Sequence, residues 1–330
     1  MTPNRRRFLT LGAGTLAMAM TGGGCSSGSS GPIKFATNPW PGYDLLYVAR
    51  DKGFFQDAGL DVNLVDLTSL GASRRAFERR QVDGCGATLV EILLAADLSG
   101  VRPQIAAVVD YSDGADVVIG QAAMSSPTSL KGARVAIEPG TLHIQLLSLA
   151  LARAGLTIRD VTLVSMPQNV MPAAFAEGRV QAAVCFPPES GQLLARGGKV
   201  LFHSGQVPGE VVDILVFDGD FVARRGADVR AFVRAYYQAQ DYAARHPDEA
   251  HAIMARRENT SLADLRDTLK GLRYVDQADQ ARLLEPGGPV ERSLIHLQGA
   301  MIELAQLRER HTLKDFLMAR ELLAARGALA

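Results

Sequence analysis

Apolar and polar positions along the chain follow two periods. Ile33-Lys34-Phe35-Ala36-Thr37 alternates like a half-buried strand, and "LLYVARDKGFF" just beyond it repeats apolar residues at helical spacing. Between them stands "NPWPGYD", Asn38 to Asp44, which sets the chain's only Trp between two prolines and follows it with Gly, Tyr and an acid. A plain strand-to-helix connector takes Gly, Ser or Asn. This one is rigid and aromatic, suited to holding a flat surface at a fixed angle.

The pattern then repeats. "AFERRQVDGCGA" from Ala76 matches "AFAEGRVQAAVC" from Ala174, 98 positions later, and "AGLDVNLVDL" from Ala58 echoes "AGLTIRDVTLVSM" from Ala154. Each copy predicts an amphipathic helix ending at Gly, a short β-branched strand, a second helix and a strand of small residues. Strands and helices alternating at this pitch predict parallel sheets with crossover helices. Two copies predict two similar lobes.

Between the copies, Gln104 to Gln121 reads as a strand, a polar bend at Tyr111-Ser112-Asp113-Gly114, and a second strand. Gly209 to Val222 is a similar apolar strand after the second copy. "VRAFVRAYYQAQDYAARH" is amphipathic at a period of 3.6, and Pro247 opens another helix. The expected class is α/β, with two α/β lobes joined by two hinge crossings and a helical C-terminus. Residues 33–115 and 213–330 make lobe 1, and residues 116–212 make lobe 2. Such a chain has a hinge and a cleft.

The start of the chain reads as an export signal over residues 1–25. It has basic Arg5-Arg6-Arg7, an apolar stretch from Phe8 to Met20 too short to span a bilayer, and small residues before Cys25. "NRRRFLT" resembles the twin-arginine type. Cys25 resembles a lipoprotein junction, which predicts a lipid anchor at Cys25 and a flexible tether over residues 26–32. Gly22 stands where such a junction takes an aliphatic residue, so simple cleavage and release stays open. The expected location is the periplasm or cell envelope.

Lys+Arg and Asp+Glu balance at 35 each, which gives nucleic acid no basic face to bind. Besides Cys25, Cys85 and Cys185 sit in apolar runs and read as buried small hydrophobes rather than a disulfide framework. No His, Cys, Asp and Glu spacing marks a metal site, and no cofactor is expected.

In open α/β sheets, ligands bind beyond the carboxyl ends of strands. That rule selects Asn38, Trp40 and Tyr43 after the first strand, Ser69 and Gly71 after the second, and Thr88 after the small-residue strand. It adds Tyr111, Ser112 and Gly114 at the polar bend, and Gly140, Thr141 and His143 at a strand-to-helix junction in lobe 2. Phe186 and Glu189 follow the second small-residue strand, and Asp213 lies on the second crossing. Thr141 also suits plain helix capping, and His143 suits a satisfied structural role better than a catalytic one.

With "NPWPGYDLLYVARDKGFFQDAGLDVNLV", "VDGCGAT", "YSDGAD", "EPGTLHIQLL" and "FAEGRVQAAVCFPPE", the chain from about Ile33 to Asp220 resembles an ABC-transporter solute-binding protein. Within that class it is similar to the nitrate/sulfonate/taurine and thiamine-precursor group, with its SsuA/THI5-like (NMT1) domain. The resemblance implies a periplasmic-binding-protein type II fold. It also implies a monomer that captures a small-molecule solute between its lobes and delivers it to an ABC permease with its ATPase. Where relatives often carry Trp-Glu-Pro this chain has Phe186-Pro187-Pro188, which moves the acid to Glu189 or removes it. A rigid heptapeptide would keep Trp40 and Tyr43 at the cleft wall with little ordering cost on closure.

The strand ends carry Asp44, Asp110, Asp113, Glu138, Glu189 and Asp213 with Trp40, Tyr43, Tyr111 and Phe186, and no Lys or Arg. That set orders the ligands as an aminopyrimidine-like or aminated solute first, a sulfonate such as taurine second and nitrate third. A sensory or accessory binding lipoprotein needs the same cleft. A THI5-like pyrimidine synthase would need chemistry that no nucleophile–base pair or iron motif supplies, so the expectation is no enzyme.

Overall fold

The computed structural model describes residues 31–318, so the export signal, most of the tether and Cys25 lie outside them. The chain runs through β1 (Ile33–Thr37), α1 (Pro41–Asp51), α2 (Phe54–Asp57), β2 (Val62–Asp66), α3 (Leu70–Glu78), β3 (Gly84–Thr88), α4 (Leu89–Ser99) and β4 (Pro103–Ser112). After a first crossing come β5 (Val117–Gly120), β6 (Arg134–Ile137), α5 (His143–Arg153), β7 (Thr162–Ser165), α6 (Met171–Ala176), β8 (Ala182–Cys185), α7 (Glu189–Ala195) and β9 (Lys199–His203). A second crossing leads to β10 (Val212–Asp218), α8 (Gly219–Arg245), α9 (Pro247–Glu258), α10 (Leu262–Leu269), β11 (Leu272–Tyr274), α11 (Gln280–Leu283) and α12 (Pro289–Glu303).

Two mixed sheets result, ordered β11-β4-β10-β3-β1-β2 and β7-β6-β8-β5-β9. In the first, β1 runs parallel to β2 and β3, and β10 lies antiparallel between β3 and β4. In the second, β6 runs parallel to β7 and β8, and β5 lies antiparallel between β8 and β9. Read edge to edge, β2-β1-β3-β10-β4 and β7-β6-β8-β5-β9 have the same order and the same sense. The echoing strings occupy equivalent places, one ending α3 and forming β3, the other ending α6 and forming β8.

Each antiparallel strand, β5 and β10, is the first strand after a crossing, so it ties the sheet it enters to the one it left. The crossings also touch. Ser112 Oγ and Ser204 Oγ are 2.7 Å apart, and the Gly114 N–H donates to Ser204 Oγ at 2.7 Å.

Against the first sheet, Phe232 of α8 meets Phe35 of β1 and Phe217 of β10 at centroid distances of 4.9 and 5.3 Å, and Phe55 stacks on it at 5.0 Å. A smaller core under the second sheet gathers Ile119, Met171, Phe175, Ala183 and Leu193. Rings packed at these distances add about 0.5–1.5 kcal/mol a pair beyond the area they bury.

The tail departs from an all-helical reading. β11 pairs antiparallel with β4 and covers an edge that would otherwise present unpaired backbone groups. Among the described residues no helix is long and apolar enough to cross a membrane.

Candidate functional site

The opening heptapeptide turns the chain from β1 into α1. Trp40 sits at the N-cap in extended conformation and Pro41 follows at the first helical position, where its fixed φ suits a helix and its missing N–H costs nothing. Both aromatic rings turn inward. The Trp40 Nε1–H donates to Asp110 Oδ2 at 3.2 Å, and the Tyr43 hydroxyl donates to Asp213 Oδ1 at 2.6 Å, with the Ala87 carbonyl at 3.1 Å.

Two glycines make room for this. A Cβ on Gly86 would stand 2.8 Å from the Tyr43 ring, and one on Gly42 would meet Asp110. Asp110 and Asp213 are directly opposed across β4 and β10, and both are buried. Burial pushes Asp110 up to about 8. Asp213 is also raised, first by burial and then by the neighbouring charges of Asp110 and Asp116. Asp116, just before β5, is pushed up to about 7 by burial.

Asn38, Trp40, Tyr43, Leu70 and Asp213 from the first sheet's side face Leu142 and Phe186 from the second. The Trp40 and Phe186 rings meet edge to face, centroids 5.7 Å apart. The space left among these residues is about 10 Å³, room for about one water molecule. Hydrogen bonds span the same divide. Ser69 Oγ donates to Glu138 Oε1 at 2.6 Å, and the Leu142 N–H donates to Glu91 Oε1 at 3.1 Å.

The structure sorts the fifteen positions that the strand-end rule predicts. Asn38, Trp40, Tyr43, Phe186 and Asp213 line the cavity. Ser69 and Gly71 stand beside it. Ser69 caps α3 and reaches Glu138, and a Cβ on Gly71 would lie 2.5 Å from Glu138 Oε1. Thr88 lies opposite Asp213 across the β3–β10 pair and caps α4 in a capping box with Glu91.

Gly140 takes a positive φ of 70° in the turn before α5, and the Thr141 hydroxyl donates to the Glu138 carbonyl. His143 Nδ1 accepts from the Glu138 N–H at 3.0 Å, so Nε2 carries the proton and donates to Gln168 Oε1 at 3.1 Å. Burial pushes this imidazole down to about 4, which leaves it neutral and structural. Gln168 also accepts from the Phe186 N–H and donates to Glu189 Oε2 at 2.7 Å. Glu189 is therefore held by Gln168 rather than presented to the cavity.

Tyr111, Ser112 and Gly114 are not brought to it. Side chains alternate along a strand, so with Asp110 turned inward Tyr111 faces outward, toward Asp279 and Arg282. Ser112 and Gly114 serve the junction of the crossings through Ser204. Of the acids read as ligand partners, Asp44 turns to Arg257 and Glu258 of α9, and Asp113 pairs with Arg273.

A wider groove of about 400 Å³ lies between α5 and α12, lined by residues such as Leu149, Ile158, His296 and Leu304. No strand end opens into it, and none of the fifteen positions lines it.

The profile of the NMT1-like family matches residues 28–257. A protein of Brucella abortus described as a binding protein is 24% identical over 295 residues, which is 87% of this chain and 89% of that one. The alkanesulfonate-binding protein SsuA from Xanthomonas axonopodis pv. citri, bound to MOPS, superposes with a TM-score of 0.73 at 18% identity, covering 87% of this chain and 98% of its own. The periplasmic nitrate-binding protein NrtA from Synechocystis PCC 6803 gives 0.73 at 18% identity over 90% and 89%. The desulfurization enzyme DSZB gives 0.64 at 16% over 91% and 99%. The fold is that of the type II periplasmic binding proteins.

Proposed function

Because the chain belongs to the NMT1-like family, we propose that it is the extracytoplasmic solute-binding component of an ABC import system. In this reading the two sheets are the cores of two lobes, residues 33–115 with 213–330 and residues 116–212, which close on a small solute and present it to a membrane permease. The observation that carries the reading is the apposition of Trp40, Tyr43 and Asp213 on one side with Phe186 and Leu142 on the other, at equivalent strand ends of two like sheets. Ligand pockets need some 300–1,000 Å³, so a space of about 10 Å³ admits a solute only if the sheets part. Ser69–Glu138 and Glu91–Leu142 then mark the closed arrangement, which a solute touching both sides would favour.

Acid beside aromatic favours an aminated aromatic solute, such as an aminopyrimidine, over a sulfonate or nitrate. Charge-assisted hydrogen bonds would take the amine and the rings would flank the body. Capture fits the site better than chemistry does. Burial raises the thiols of Cys85 and Cys185, which keeps them protonated and poor nucleophiles. Export, with or without a lipid at Cys25, completes the proposal. Differential scanning of the mature chain against pyrimidines, amines, sulfonates and nitrate tests it. One class should raise the melting temperature, by about 2.7 kcal/mol of stabilisation at a hundred times Kd. A panel with no shift would count against capture.

A further inference from the structure

We propose that the solute's cationic head displaces a proton from the Asp110–Asp213 carboxyl pair, so that capture exchanges one proton for one positive charge. This rests on capture of a solute between the two sheets, and it adds the charge that the solute must carry and what leaves when it arrives.

The pair is built for a counter-charge that the chain does not provide. Trp40 and Tyr43 satisfy Asp110 Oδ2 and Asp213 Oδ1, while Asp110 Oδ1 and Asp213 Oδ2 stay buried without a hydrogen-bond partner. The titratable groups that face the pair are Tyr43 from α1, Glu91 from α4, Asp116 before β5, Tyr236 from α8 and Tyr274 from β11. All are acids or phenols. No Lys, Arg or His among the described residues forms an ion pair with Asp110, Asp116 or Asp213.

Two ionised carboxylates side by side in a buried site are avoided by keeping a proton, as burial and like charge both favour the neutral form. The upward displacement of Asp110 and Asp213 agrees with that geometry. An ammonium, amidinium or protonated aminopyrimidine supplies the missing charge. The carboxyl O–H bond then breaks, its proton leaves to solvent, and the carboxylate accepts N–H hydrogen bonds from the solute. A neutral solute of the same shape leaves the proton in place.

The experiment is calorimetric titration with benzamidine, 4-aminopyridine and phenethylamine, which all stay cationic from pH 6 to 8, in phosphate and in Tris. Affinity should rise about tenfold per pH unit between pH 6 and 7.5, with about one proton released per cation bound. The double variant Asp110→Asn with Asp213→Asn should abolish both the slope and the release, and each single variant should weaken the affinity without restoring a pH-independent site. Infrared spectra of the ligand-free chain at pH 6 should show a protonated-carboxyl band that Asp110→Asn diminishes, a readout that does not depend on binding. Equal affinity at pH 6 and 8, no proton release, or no such band overturns the exchange. If no cation binds while a sulfonate or nitrate does, capture stands and the exchange falls. If neither class binds, both fall.

Discussion

A Cβ placed on Gly42 would lie 1.8 Å from Asp110 Oδ2. The first turn of α1 and the carboxyl on β4 thus share a space that only a residue without a side chain allows, and the Trp40–Asp110 hydrogen bond depends on that closeness. Gly42→Ala should destabilise the chain by about 1–3 kcal/mol, the usual cost of overfilling a packed interior, and abolish solute-induced stabilisation. Asp110→Ala in the same chain should restore stability but not binding. Urea unfolding of the two single variants and the double variant measures the coupling, and additive losses would contradict this packing.

Trp40→Phe keeps a ring against Phe186 but loses the Nε1–H that reaches Asp110. It should retain part of the solute-induced thermal shift, whereas Trp40→Ala should abolish it. Equal shifts in both variants and the parent chain would remove Trp40 from the site.

Stability should fall as pH rises through the neutral range. Asp110 is pushed up to about 8, while an unfolded aspartate titrates near about 4. Between those values the folded chain holds a proton that the unfolded chain has released, so unfolding becomes easier as pH rises and levels off above about 8. Asp110→Asn should remove about 1.4 kcal/mol per pH unit of that slope. Urea melts from pH 5 to 8 decide it, and parallel curves for variant and parent would contradict the buried proton.

Ser69→Ala removes one of the hydrogen bonds between the sheets and leaves Glu138 without the Ser69 hydroxyl. The closed arrangement should weaken by about 1–3 kcal/mol, seen as roughly five- to 150-fold weaker solute binding and a larger radius of gyration by X-ray scattering at subsaturating solute. Unchanged scattering and affinity would mean that this bond does not hold the sheets together.

Much of the fold was legible because it is written locally. The echo of Ala76 and Ala174 marks β3 and β8, and Pro41-Gly42 marks the entry to α1. The candidate cavity was legible at residues placed by strand ends, such as Trp40, Tyr43, Phe186 and Asp213. It was illegible where a choice of face decides. Asp110 and Tyr111 are neighbours, and the pairing of β4 with β10, bulged in register next to Asp213, turns the acid inward and the ring out. Gln168 carries no local signal at all. Its role as the tie between His143, Phe186 and Glu189 exists only after three distant segments meet. β11 was hidden for the same reason, since three residues become a strand only when β4 offers an edge.

The contact of Ser112 and Ser204 fastens the two crossings together like a rivet. A rivet allows turning and forbids sliding, so if the sheets part as proposed the second would swing about it. In that swing Asp110 and Asp213, on strands that end beside the contact, would move little against Leu142 and Phe186 of the other sheet. A visitor to the open jaw would therefore be judged first on charge, by a stationary anvil of acids, and only afterwards on shape, when the hammer of apolar residues comes down.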